Sequence, residues 1–175
     1  LAIVREREQG TMEQLIVTPI RSWELVLGKI IPYLVVGIFN TIATILVAVY
    51  LFGIVIEGSF WLLVLLSVMF ILGSLGMGVL ISNISRTQMQ AMYLAVGIVL
   101  IPAIILSGLM FSREGMPLIT YYFGELMPIT PYLVIIRGIM VKGVGINYLW
   151  PSINSLIILS IVYFIASILT FRKKL

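Results

Sequence analysis

The chain contains no cysteine and no histidine. Disulfides, thiol nucleophiles, zinc sites with Cys or His ligands and Ser-His-Asp catalysis are therefore all excluded. It is also poor in charge: Asp, Glu, Lys and Arg make up 10% of its 175 residues, where a soluble domain uses about 25% to keep its surface wet. What is present instead is hydrocarbon, with 61% hydrophobic residues and a mean hydropathy of +1.19. The charges cluster between long apolar runs, which is the pattern of membrane spans and loops. The +4 formal charge and pI near 9.5 do not form a basic stripe interleaved with aromatics, so no nucleic-acid partner is expected, and the bilayer is the expected environment.

A helix needs about 20 mainly apolar residues to cross the hydrocarbon core at about 1.5 Å per residue. Four stretches qualify, at 30–56, 60–82, 92–110 and 149–171, and no ionisable side chain falls inside any of them. The short Glu57-Gly58-Ser59 break makes the first two an antiparallel hairpin. Orientation follows from the distribution of Lys and Arg. Arg5, Arg7, Arg21, Lys29, Arg86, Arg172, Lys173 and Lys174 fall on one side, and Arg113, Arg137 and Lys142 on the other. Eight against three puts both ends of the chain in the cytoplasm and turns Glu57 and residues 112–148 outward. Trp23, Trp61, Tyr148 and Trp150 stand near span ends, where amphipathic rings favour the interface. The expected division is a cytoplasmic loop at 1–29, a transmembrane unit at 30–171 and a tail at 172–175. The abrupt opening, Leu1-Ala2-Ile3-Val4 straight into charge, reads as the interior of a longer protein.

In the second stretch Gly73, Gly76 and Gly78, with Ser74, offer a small-residue face for close helix packing. No Lys-Ser or Lys-Thr follows them, so they do not make a phosphate-binding loop, and no Walker A sequence occurs anywhere in the chain.

Two segments are not plain spans. The first, residues 6–17, is dense in charge beside hydrocarbon. Thr11 followed by Gln14 matches a capping box, predicting a short helix from Met12 to about Val17. Thr18-Pro19 suits a further helix start. A solvated loop would account for the charge alone, but a capped helix bearing Met12, Leu15 and Ile16 also offers a grip for another protein. The second, residues 112–148, is too polar to span and too apolar for an ordinary loop. Pro117, Pro128 and Pro131 divide it into 118–127 and 132–141, each about half a span long. Two short helices that enter one leaflet and return are predicted, with Tyr121, Tyr122, Phe123 and Tyr132 at the interface. Arg137 stands alone among Val134, Ile135, Ile136 and Ile139. It either snorkels to headgroups or makes a substrate or gate contact, and it requires an anionic or carbonyl partner, for which Glu125 is the candidate. Glu57, Glu114 and Glu125 lie outside the spans and no paired acids occur within them, so no catalytic residues and no metal site are expected.

The first segment resembles the cytoplasmic loop of type-2 ABC exporter permeases. The pattern is carried by Glu6-Arg7-Glu8, Gly10-Thr11, Glu13, Leu15, Thr18-Pro19 and Gly28-Lys29. The later points Ser107-Gly108, Met116-Pro117, Pro128, Pro131 and Arg137-Gly138 before Gly143 are also similar to the family, while Ser112-Arg113 departs from the proline that many relatives place after the phenylalanine matching Phe111. The resemblance implies an all-α membrane protein, with four spans of a six-span permease, a cytoplasmic coupling helix and two short outer re-entrant helices. By the match, Glu6, Arg7, Glu8, Gly10, Thr11, Glu13, Gln14 and Leu15 would form the coupling segment that docks on a separate ATPase subunit. Pro117, Glu125, Pro128, Pro131, Arg137 and Gly138 would shape the re-entrant gate. The implied function is that of the transmembrane subunit of an ATP-driven exporter in a bacterial or archaeal inner membrane. It would pair with a second permease subunit, as homodimer or heterodimer, and with ABC ATPase subunits that carry the ATP and Mg, leaving this chain without a cofactor or enzymatic activity of its own. The competing function is a membrane-embedded assembly or regulatory subunit that binds an ATPase and moves no substrate.

Overall fold

The computed structural model describes Val4, Arg5, Glu8 and residues 22–170. Among these the chain is helical with no strand. Four stretches are long and apolar enough to cross a membrane: Val26–Tyr50, Phe60–Ile84, Gln88–Leu106 and Ile146–Thr170.

Helix α1 runs Ser22–Tyr50, with Pro32 inside it. It begins before the apolar run, at the interfacial residues, and ends six residues short of Ile56. There Gly53 takes a left-handed backbone (φ +64) and the Ile54 N–H turns back to the Ala48 carbonyl at 3.1 Å, which stops the helix as glycine commonly does. Helix α2, Phe60–Ile84, is capped by Ser59, whose hydroxyl accepts from the Leu62 N–H.

The third span is not one regular helix. Thr87 caps α3, Gln88–Leu94, by accepting from the Gln90 N–H. A π-helical segment, Ala95–Leu100, follows, and α4, Ile101–Leu106, carries Pro102 at its start. A proline has no N–H, and its ring presses on the carbonyl four residues before it, here that of Ile98. The wider turn, in which the Ile101 N–H reaches the Val96 carbonyl, gives that carbonyl room. This span lies four residues nearer the N-terminus than the run 92–110. Thr87 fixes its start, and Gly108 (φ +88) follows its end.

A short 3-10 turn, Arg113–Gly115, leads to α5, Leu118–Glu125, and α6, Ile129–Met140, which meet at 78°. Helix α7, Ile146–Thr170, closes the described structure.

Helix α2 is central, packed on α1 and α7 and touched by α6. One core joins all four: Ile45 of α1, Leu63 and Leu66 of α2, Tyr132, Ile135 and Ile139 of α6, and Leu149, Ile153 and Leu156 of α7. Between hydrocarbon-immersed helices close contact and hydrogen bonds replace the hydrophobic effect as the cause of association, and α2 and α7 supply both. A Cβ on Gly76 would lie 3.1 Å from the Phe164 nitrogen, and one on Gly73 2.6 Å from Ser160 Oγ. The Ser160 hydroxyl crosses to the Met69 carbonyl at 2.9 Å, and Asn83 Nδ2 donates to the Ser167 carbonyl at 2.8 Å. Gly78 faces open space and takes no part in this contact. The third span is thinly enclosed: 11% of its most apolar window is buried, the same share as in Val26–Tyr50, and no residue of its π-helical segment is.

Candidate functional site

The broken pair α5 and α6 departs furthest from a plain helical bundle, and its helix starts follow from its prolines. Pro117 immediately precedes α5 and Pro128 immediately precedes α6. Pro131 occupies the first turn of α6, where the missing N–H would have had no intrahelical acceptor. Thus α6 starts two residues before Pro131, rather than after it as the proline division 132–141 implied.

The apex between the two helices is tied by hydroxyls. Thr130 Oγ1 donates to the Gly124 carbonyl at 2.6 Å, the Met127 N–H also donates to that carbonyl, and Tyr163 Oη of α7 donates to the Leu126 carbonyl at 2.7 Å. Tyr163 stands about 25 Å along α7 from Ile146 and about 10 Å from Thr170. Its side chain spans roughly 6 Å and tilts toward the helix N-terminus, so the apex lies near mid-span. Non-helical backbone at that depth requires internal partners, and these bonds provide them. Gly124 lets the apex approach the end of α4, since a Cβ there would sit 2.7 Å from the Leu106 carbonyl oxygen.

Higher on α6, the Tyr132 and Ser67 hydroxyls meet at 2.7 Å and the Tyr132 ring stacks on Phe70 at 4.2 Å between centroids. Near the other end, Gly138 is packed against Leu149 and Val144 of the turn into α7. The Glu57 N–H points at the Met140 carbonyl, joining the α1–α2 connection to that end of α6.

The arginines are not placed as the sequence suggested. Glu125 pairs with Arg113, Nη2 to Oε1 at 2.7 Å, and not with Arg137. Arg113 also donates to the Tyr121 carbonyl at 3.3 Å and lies 4.3 Å from the centre of the Tyr121 ring. Arg137 sits two turns along α6 from the apex that Glu125 borders, and its Nη2 donates to the Gly108 carbonyl at 3.0 Å instead. Its partner is thus a carbonyl, the second of the two kinds its isolation required.

Of the coupling residues, Glu6, Arg7, Gly10, Thr11, Glu13, Gln14 and Leu15 lie outside the described residues. Glu8 is described, and its carboxylate accepts from the Gln88 backbone N–H at 2.8 Å and from the Gln88 side-chain amide. A carboxylate at a helix start satisfies an orphan donor and complements the helix dipole, so Glu8 is engaged at the start of the third span. Val4 is buried nearby in sequence, its N–H donating to Ser82 Oγ at 3.3 Å. Among the described residues no three acids gather in a way that could hold a metal ion.

Sequence reasoning placed Tyr132 at the interface, whereas it is buried in the core against Phe70 and Ser67, and it assigned no partner to Arg113, Thr130, Tyr163 or Ser67. A hydroxyl in an otherwise apolar run was the available signal for the last three, because such a group needs a partner in lipid.

The family described as ABC-2 family transporter protein matches residues 1–169. The probable multidrug ABC transporter permease YbhR of Escherichia coli K12 is 32% identical over 174 residues, covering 99% of this chain and 47% of that protein. The inner membrane transport permease YhhJ of the same strain is 31% identical over 175 residues, covering 99% and 46%. ABC transporter G family member 20 of Dictyostelium discoideum is 29% identical over 165 residues, covering 94% and 22%. The chain thus spans about half the length of the two bacterial relatives, and no solved structure matches it. An all-helical multi-pass membrane architecture with a broken helix pair, matched nearly end to end by one family, places this chain in the ABC-2 family of transporter proteins.

Proposed function

We propose that the chain serves as the transmembrane permease part of an ATP-driven exporter, powered by separate ABC ATPase subunits and paired with a second permease subunit. The observation that carries this reading is the family match across residues 1–169. The names of the bacterial relatives, both permeases, support the role, and an inner membrane location accords with that of YhhJ. On this reading ATP binding in the partner displaces the cytoplasmic segment 6–17. Glu8, held on Gln88, then passes the displacement to the third span. Two access states would be populated in turn, each favoured by a different nucleotide state of the partner.

The test replaces Glu8, Gly10 and Glu13 together in the whole protein, co-expressed with its ATPase and reconstituted in vesicles. Loss of ATPase association and of transport is the expected result. Survival of both refutes the coupling role. A parent protein that binds the ATPase, yet never shows substrate-dependent ATP hydrolysis or transport, fits the assembly or regulatory subunit instead.

A further inference from the structure

Gly108, at the end of the third span, is bonded by one arginine and flanked by the stem of another. Arg137 Nη2 donates to the Gly108 carbonyl at 3.0 Å, which anchors the guanidinium of a residue that is exposed as a whole. The stem of Arg113 passes beside Gly108, its Cγ and Cδ 3.2 Å from where a Cβ would stand. Ser107 is 3% exposed, and neither its Oγ nor Arg113 Nε has a hydrogen-bond partner among the described residues.

Acceptors are scarce here. The Glu125 carboxylate is taken by Arg113. Glu114, on the same turn as Arg113, forms no ion pair with either arginine among the described residues. Arg113 holds Glu125, and Arg137 has no carboxylate partner among the described residues. Guanidinium N–H groups donate and never accept, so the group that completes this site must bring oxygen acceptors and negative charge.

The setting identifies the bearer of that charge. Met110, Phe111, Leu118, Ile119, Tyr122 and Val134 are all exposed large hydrophobics on the elements around the arginines, as acyl chains require. Arg137 lies about 5 Å along the helix from Met140, whose carbonyl meets the α1–α2 connection. The residue therefore stands toward that end of α6, with its guanidinium held at the Gly108 carbonyl.

We propose that Arg137, held in place by the Gly108 carbonyl, binds the phosphate of a phospholipid headgroup, with anionic headgroups preferred. A guanidinium suits a phosphate because its planar fork matches two phosphate oxygens at once. The site needs only that the chain be embedded in a bilayer, so it stands or falls separately from the exporter reading.

The experiment measures lipid retained by the whole purified protein, by native mass spectrometry, after exposure to phosphatidylglycerol, phosphatidylcholine or millimolar inorganic phosphate. The parent is expected to retain phosphatidylglycerol in preference to phosphatidylcholine, with no displacement by inorganic phosphate. Arg137→Gln should lower that retention by roughly tenfold, the scale of one charge-assisted hydrogen bond. Lys142→Gln, just beyond the same helix, should leave it unchanged. Arg137→Lys keeps the charge without the fork and should bind with an intermediate, several-fold loss, which carries the test if the glutamine variant does not fold. Full retention in Arg137→Gln or Arg137→Lys, loss in Lys142→Gln alone, or displacement by inorganic phosphate overturns the proposal.

Discussion

Alanine at each of three glycines on α2 should give three different outcomes. At Gly78 a Cβ meets nothing within 4 Å. Alanine there should leave stability unchanged or raise it by up to about 1 kcal/mol, the helix preference of alanine over glycine. At Gly76 a Cβ would stand 3.1 Å from the Phe164 nitrogen and 3.2 Å from the Tyr163 carbonyl carbon. Both are backbone atoms, so α7 must retreat by a few tenths of an ångström. Over-packing costs about 1–3 kcal/mol, and after the helix-preference gain the net loss should be about 1 kcal/mol. At Gly73 the obstacle is Ser160 Oγ at 2.6 Å, a hydroxyl already bonded to Met69 and Leu156 carbonyls. Its displacement removes an interhelical bond worth about 0.6 kcal/mol in a membrane protein, in addition to the over-packing. The loss should therefore exceed that at Gly76. Ser160→Ala removes the offending oxygen and leaves only Ser160 Cα and Cβ, at 3.3 and 3.4 Å. In that background Gly73→Ala should become milder by about 1 kcal/mol, a coupling on the scale found for residues in contact. The assay is reversible unfolding in mixed micelles titrated with a denaturing detergent. Equal losses at all three glycines, or no relief from Ser160→Ala, would refute the helix contact as described.

Two further predictions concern the deep elements. Tyr163→Phe deletes only the hydroxyl on the Leu126 carbonyl and leaves that carbonyl without its donor near mid-span. It should cost about 1 kcal/mol, and a cysteine placed at Met127, 2% exposed in the parent, should react with a membrane-permeant maleimide several-fold faster. The cysteine-free chain makes that readout clean, and unchanged labelling would contradict the tie. Pro102→Ala restores an N–H where the π-helical segment Ala95–Leu100 now ends. If that segment tightens to an α-helix, one residue of register is removed and α3 turns by about 100° relative to α4. Spin labels scanned along Gln88–Leu94 should show their lipid-accessibility pattern displaced by one position, and an unshifted pattern counts against the role assigned to Pro102.

The four spans were legible because a charge-free run long enough to cross a bilayer, in a chain this apolar, can hardly be anything but a span. The broken pair was legible from Pro117, Pro128 and Pro131, since each limits where a helix can begin. Span ends were less so. Tyr50 and Leu106 end their helices before the apolar residues run out, and the left-handed glycines Gly53 and Gly108 are distinguishable from the other glycines only once φ is known. The glycine face was partly legible. At 3.6 residues per turn Gly73 and Gly76 share a side, while Gly78 lies about 140° round from Gly73, so the period alone separates the glycine that faces open space from the two that meet α7. The arginine partners were not legible at all. Both arginines lie within reach of the same short region, and which one takes Glu125 depends on how the turn Arg113–Gly115 folds over Tyr121.

These ties are unevenly distributed. Helices α2, α6 and α7 share a buried core and are linked by Ser67 with Tyr132 and by Ser160 with Met69. The third span has no buried residue in its π-helical segment. Its named contacts lie toward its two ends: Glu8 on Gln88, Gly124 against Leu106 and Arg137 on the carbonyl of Gly108. An element held at its ends and irregular in its middle opposes displacement along its axis through those end contacts, because little side-chain packing holds the middle. Weakening either end should therefore loosen the third span without unfolding the α2–α6–α7 core. Weakening Ser67–Tyr132 or Ser160–Met69 should lower the stability of the bundle as a whole.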